Sequence, residues 1–476
     1  MKEQSTDRPP LHVRLCYGFG AVAYGVKNSG FDFFLLFFYG TVLGVDPALV
    51  GLAIFLALLL DAFSDPIVGY LSDNLRSSWG RRHPFMYASA LPVALSYFLL
   101  WNPPDAGEMF LFFYMLTLAI IIRTAITFYE TPSSALMPEL TPNYEQRTVL
   151  QSWRLFFGWV GGNFMTVLMF GVLLVPSAQF ADGMQNLDGY SAYGIISSIV
   201  IFISIMVCAL GTHGRARVLP KAETSAPKAN LGTIFAGIFE TFRDKSFFSL
   251  FMATLFGAVA SGVVAALFVT LLTYFWGLSA EERFLYSMAT FISATIGLVI
   301  ATPLVKWLGK RNAVVLLGVF AFSIAPLPVL LRLLGFMPAN GDPSLFPLLV
   351  SIHIFDVSLI IALQAILYSM AADLVEAAEL RTGKRSEGMF YAAITFTRKS
   401  TLGFGGAIAG LMLAYVSFPE GDQAASVSDE TLWQLGAIYV PTLLVLWSCM
   451  LIAISFYKID KTSHEAALRE LEEGTV

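Results

Sequence analysis

Apolar residues along this chain come in runs of roughly twenty, the length at which a helix crosses the hydrocarbon core of a bilayer. Most runs lack the polar stripe at 3.6-residue spacing that a helix on a soluble core carries. They predict twelve spans, at roughly 15–43, 47–73, 84–102, 108–130, 150–175, 193–211, 246–275, 284–305, 312–335, 345–371, 387–415 and 432–457. An even number puts both termini on one side. Basic residues choose the side: Arg76, Arg81 and Arg82 follow span two, Arg147 follows span four, Lys306, Lys310 and Arg311 follow span eight, and Arg381, Lys384 and Arg385 follow span ten. The opposite loops hold Arg283 alone. By the positive-inside rule the termini are cytoplasmic.

The pattern also divides the chain. A cytoplasmic tail at 1–14 precedes a six-helix bundle at 15–211, and a second bundle at 246–457 precedes a cytoplasmic tail at 458–476. Between the bundles, 212–245 is a polar linker in which Leu231, Ile234, Phe235, Ile238, Phe239 and Phe242 have the spacing of a helix lying on the membrane surface. The halves look like repeats. Trp79-Gly80-Arg81-Arg82 after span two is answered by Leu308-Gly309-Lys310-Arg311 after span eight, and Met137-Pro138-Glu139-Leu140 after span four by Met370 to Leu374 after span ten. Two matches at nearly one period predict an all-α membrane protein of twelve transmembrane helices in two six-helix halves, the major facilitator architecture.

Composition narrows the function. The chain is 56% hydrophobic and 13% charged, about half the charge of a soluble domain. Cys16, Cys208 and Cys449 form no disulfide framework or metal-spaced cluster. No cleavable signal peptide is visible. No phosphate-cradling loop points to direct ATP drive, no nucleophile and base stand together, and the basic loops lack the aromatic interleaving of nucleic-acid binding. The expectation is a membrane protein that is not an enzyme, has no cofactor, and meets a small solute and membrane lipids as a monomer.

Charges inside spans are costly and mark function or pairing. Asp61 and Asp65 share a face of span two, with Ser64 beside it. Two carboxylates and a hydroxyl in a low dielectric suit Na⁺, Li⁺ or a proton, since both acids ionise together only with a positive partner. The other reading is that the pair neutralises Lys27 or another base. Span four carries Arg123, Thr127 and Glu130, span five opens with Arg154, and span eleven holds Arg398 and Lys399. These form either the polar wall of a central cavity for a hydroxylated or anionic solute or salt bridges between helices. Lys27, Asn28 and Asp32 add polarity to span one. His353 and Asp356, three apart in span ten, are a proton relay or a structural pair. On the cytoplasmic side, Asp73 with Arg81 and Arg82, Glu139 with Arg147, and the matching Asp373 and Arg381 are candidate gate residues.

Asp61-Ala-Phe-Ser-Asp65-Pro66-Ile-Val-Gly69, followed by Trp79-Gly80-Arg81-Arg82-His83-Pro84, resembles the glycoside–pentoside–hexuronide:cation symporter family, as does Arg381-Thr-Gly-Lys384-Arg385-Ser-Glu387-Gly388. The likeness runs from about Leu15 to Tyr415. It implies cation binding, Na⁺ or H⁺, by Asp61, Ser64, Asp65 and Thr127, and solute contact by Glu130, Arg154 and Lys399, with Lys27, Asn28 and Arg123 as further candidates. The span-one acid of the family's galactoside site falls at Gly25, and its stacking aromatic at Ser134. These departures speak against a galactoside, and the added basic residues make an acidic sugar or other anionic solute a candidate. Expected is a symporter of a bacterial inner membrane working by alternating access. A lysolipid-like amphipath is the second candidate solute, and a non-transporting solute sensor the third reading.

Overall fold

The computed structural model describes residues 8–141, 143–177, 180, 183–218, 245–382, 403–421 and 427–456, and they are helical throughout their ordered elements. Ten helices among them are long and apolar enough to cross a membrane. Two compact units emerge: one spans Met1–Leu231 with Glu420–Ala424, the other Gly232–Pro419 with Ala425–Val476.

In the first unit the expected first span is not one helix. It comprises α1 (Leu11–Phe19) and α2 (Val22–Ser29), then two π-helical turns at Gly30–Phe34 and Phe37–Val42. These breaks keep it out of the ten. The unit continues with α3 (Pro47–Asn74), α4 (His83–Leu100), α5 (Glu108–Ala135), the short α6 (Met137–Leu140), α7 (Tyr144–Leu168) and α8 (Leu187–Val218). Starts follow local chemistry. Asp46 accepts from the Ala48 amide with Pro47 in the first turn, and Asn143 accepts from Gln146, each satisfying a donor the helix leaves open. Span six is longer than expected, since α8 runs through 212–218.

The second unit holds α9 (Lys245–Thr270), α10 (Ala280–Leu308), α11 (Lys310–Ile324), α12 (Leu327–Leu333), α13 (Leu345–Thr382), α14 (Gly403–Tyr415) and α15 (Asp429–Ser455). Span nine is split at Pro326, where a proline cannot continue the ladder. Of span eleven only α14 is described, and the surface helix expected in the linker lies outside the described residues, as do both tails beyond 8 and 456.

The repeat seen in sequence has a backbone counterpart. Gly80 and Gly309 both adopt positive φ, +88° and +75°, with nothing near a would-be Cβ. Each is glycine for its backbone conformation, at the same turn between the second and third spans of its unit.

Packing in the first unit is inside-out relative to a soluble protein. On α3, Leu60 is 49% exposed and Phe63 47%, while Asp61 is 1% exposed. Apolar residues face outward, as lipid requires, and charge turns into the bundle. At one end, Phe38 stacks on Tyr190 at 4.4 Å, and Trp101, Tyr97 and Tyr193 close around them, with the Tyr97 and Tyr193 hydroxyls 3.1 Å apart.

Candidate functional site

Three elements of the first unit build the site. Where α3 packs on α5, the Thr127 hydroxyl lies 2.9 Å from Asp61 Oδ1 and 3.0 Å from Asp65 Oδ1. One hydroxyl carries one hydrogen, so it cannot donate fully to both acids. The two carboxylates meet at this hydroxyl, where nearby positive charge or a proton relieves their mutual repulsion. Arg123, one turn before Thr127, puts Nη1 3.7 Å from Asp61 Oδ2, with both side chains buried. Its guanidinium lies over the Phe31 ring at 4.7 Å from the centroid. Phe31 sits in the first π turn of span one.

The other sequence candidates fall in different places. Ser64 donates its hydroxyl to the Asp61 carbonyl at 2.9 Å; that proton is committed to its own helix, leaving only oxygen lone pairs for a ligand. Lys27 is buried, 6.0 Å from the centroid of the same Phe31 ring. Asn28 is half-buried and makes no side-chain hydrogen bond among the described residues. Glu130 is half-buried, two turns after Arg123 on α5. Arg154 is buried elsewhere in the unit: Nη1 donates to the Tyr17 hydroxyl at 3.1 Å, and Tyr17 in turn donates to the Ser133 carbonyl at 3.0 Å. It joins α7 to α1 rather than to the Asp61–Thr127 cluster. Arg398 and Lys399 lie outside the described residues.

His353 and Asp356 belong to the second unit. The His353 Nε2 pairs with Thr290 at 3.1 Å and its ring packs on Tyr286 at 4.1 Å. Among the described residues no hydrogen bond joins it to Asp356.

In the loops after α3 and α5 the pairing differs from expectation. Glu139 takes Arg81 at 2.7 Å and Arg82 at 3.3 Å, whereas Arg147 Nε donates to the Thr141 carbonyl at 3.1 Å. Arg147 folds back on its own loop, so the two arginines of the other loop reach Glu139 first. Arg82 also donates to Ser72 at 3.0 Å, which ties the loop to α3. The side chains of Asp73, Asp373 and Arg381 lie outside the described residues. Glu139→Gln keeps the shape and removes the charge. It is expected to cost about 1 kcal/mol, as a partly exposed network does. Thermal unfolding in detergent checks this, and high salt should shrink the difference.

Two features escaped sequence reasoning. Phe31, four residues after Lys27, was available only as one phenylalanine among 41. Gly25 is where α2 meets α7 backbone to backbone: a Cβ there would stand 2.0 Å from the Gly158 carbonyl oxygen. The family's span-one acid is therefore not merely absent; no side chain fits.

The chain matches the model of the MFS/sugar transport proteins over residues 16–461. It is 27% identical to the inner membrane symporter YicJ of Escherichia coli over 97% of this chain and 95% of that one. It is 26% identical to the putative glycoside/cation symporter YagG of the same species, over 96% and 94%, and 27% identical to the sphingosine-1-phosphate transporter MFSD2B of Mus musculus, over 98% and 94%. Among solved structures, the nucleoside transporter NupG shares its fold with a TM-score of 0.56 at 16% identity, covering 94% of this chain and 99% of that one.

Proposed function

The chain belongs to the MFS/sugar transport family, among the glycoside–pentoside–hexuronide:cation symporters, and from that premise we propose that it carries a glycoside, pentoside or hexuronide across the membrane together with Na⁺ or H⁺. The observation that carries this reading is the convergence of Asp61 and Asp65 on the Thr127 hydroxyl. The cation neutralises the paired acids. Glu130, on the same helix as Thr127, with Lys27, Asn28 and Lys399, meets the hydroxyls or acidic group of the solute. Binding of either ligand favours the other by the same factor. Twelve spans with cytoplasmic termini, rocking as two halves in alternating access, complete the proposal.

The test is uptake into proteoliposomes. Labelled glycosides, pentosides and hexuronides are offered with a Na⁺ gradient, a pH gradient or neither. Accumulation of one class only with an imposed cation gradient supports the reading. Equal entry with and without gradients overturns coupling, and binding with no flux at all supports the solute-sensor reading. Similarity to MFSD2B favours one further candidate, an amphipathic lipid-like solute. Competition of uptake by lysolipids and not by sugars would establish it.

A further inference from the structure

The proposed cation site already contains positive charge. Asp61 and Asp65 together carry two negative charges, and Arg123 at 3.7 Å from Asp61 cancels one of them. The guanidinium is buried and rests on the face of Phe31, which favours a cation. Lys27 approaches the same ring, and Asp32 follows Phe31 in the same π turn. An arriving alkali cation and this guanidinium compete for one carboxylate, because two like charges a few ångströms apart in a low dielectric repel strongly.

We propose that Arg123 is a resident counter-cation of the coupling site, holding Asp61 until a single Na⁺ or Li⁺ displaces it. This rests on the reading of Asp61 and Asp65 as the coupling pair. Asp32 and Glu130 are the acids to which the displaced guanidinium turns. Glu130 is seven residues from Arg123, two turns along the same face of α5. Cation entry at Asp61 and a gain of positive charge beside the solute-binding acid thereby become one exchange.

The test uses the full chain in detergent. Its melting temperature is titrated with Na⁺ and with Li⁺ at fixed pH and ionic strength, choline replacing the cation. The wild type should be stabilised with a Hill slope near one. Arg123→Gln removes the competitor, so its midpoint should fall at least about tenfold. Arg123→Lys keeps the charge and should return the midpoint to within about threefold of wild type. An Arg123→Gln midpoint at or above the wild-type value overturns the proposal. Should that variant not fold, Phe31→Leu loosens the guanidinium and should still lower the midpoint; an unmoved midpoint is equally fatal. A wild type blind to both Na⁺ and Li⁺ overturns this proposal while leaving H⁺ as the coupling ion of the proposed function, whereas a response that survives Asp65→Ala means that the coupling reading itself has failed, and this proposal with it.

Discussion

Asp65→Ala is expected to abolish cation-driven accumulation of solute, reducing it by at least about a hundredfold in proteoliposomes. Asp65 shares the Thr127 hydroxyl with Asp61 at 3.0 Å. Without it, Asp61 keeps Thr127 and Arg123, and the pair is neutral. A unit charge about 4 Å from a cation contributes about 4 kcal/mol at an effective dielectric near 20, close to a thousandfold in affinity. The loss should appear as missing concentrative uptake while the protein still unfolds cooperatively. Gradient-driven accumulation at the wild-type level in this variant would remove Asp65 from the coupling site.

The second large effect is structural. Gly25→Ala should cost about 3 kcal/mol or more, the upper end of what overpacking a close-packed interior exacts. The added methyl would meet the Gly158 carbonyl oxygen at 2.0 Å and the Gly162 nitrogen at 3.1 Å. Both are backbone atoms, with no rotamer to give way. Close approach of this kind is what small residues permit between membrane helices. Gly214→Ala is the control: it sits in α8 with nothing within 4 Å of a new Cβ, and helix propensity alone should leave it neutral or slightly stabilising. Equal melting temperatures for Gly25→Ala and wild type would mean that this crossing is looser than the structure describes.

Much of this was legible in the sequence because the bilayer imposes a strong signal. Run length, basic loops and the Gly80 and Gly309 turns carry the fold class. The pairing of Asp61 with Asp65 followed from four-residue spacing on one helix. What spacing cannot give is which faces of separate helices meet. Arg154 and Glu130 are both polar positions in the first six spans, yet Arg154 packs on Tyr17, and only tertiary structure decides that. Glu139 and Arg147 are near in sequence, but Arg81 and Arg82 arrive from another loop. Span one misled for a different reason. The run at 15–43, with Lys27, Asn28 and Asp32 inside it, carries no sequence mark for a π turn, and the close approach of Tyr97 and Tyr193 to Gly30 is visible only in the structure.

Gly25, Gly158 and Gly162 also distribute stiffness through the first unit. At that crossing two backbones are in contact, and little compressible side chain lies between them. The π turns at Gly30–Phe34, Phe37–Val42 and Met169–Leu173 follow on the same two chain segments, with wider and weaker hydrogen-bonded rings. The segments are thus clamped on one side and compliant on the other, like a beam fixed at one end. The first of these π turns holds Phe31, the ring on which Arg123 rests. If the chain flexes there, the guanidinium moves with the ring while the glycine contact stays fixed, so mechanical compliance and the charged site fall on the same few residues.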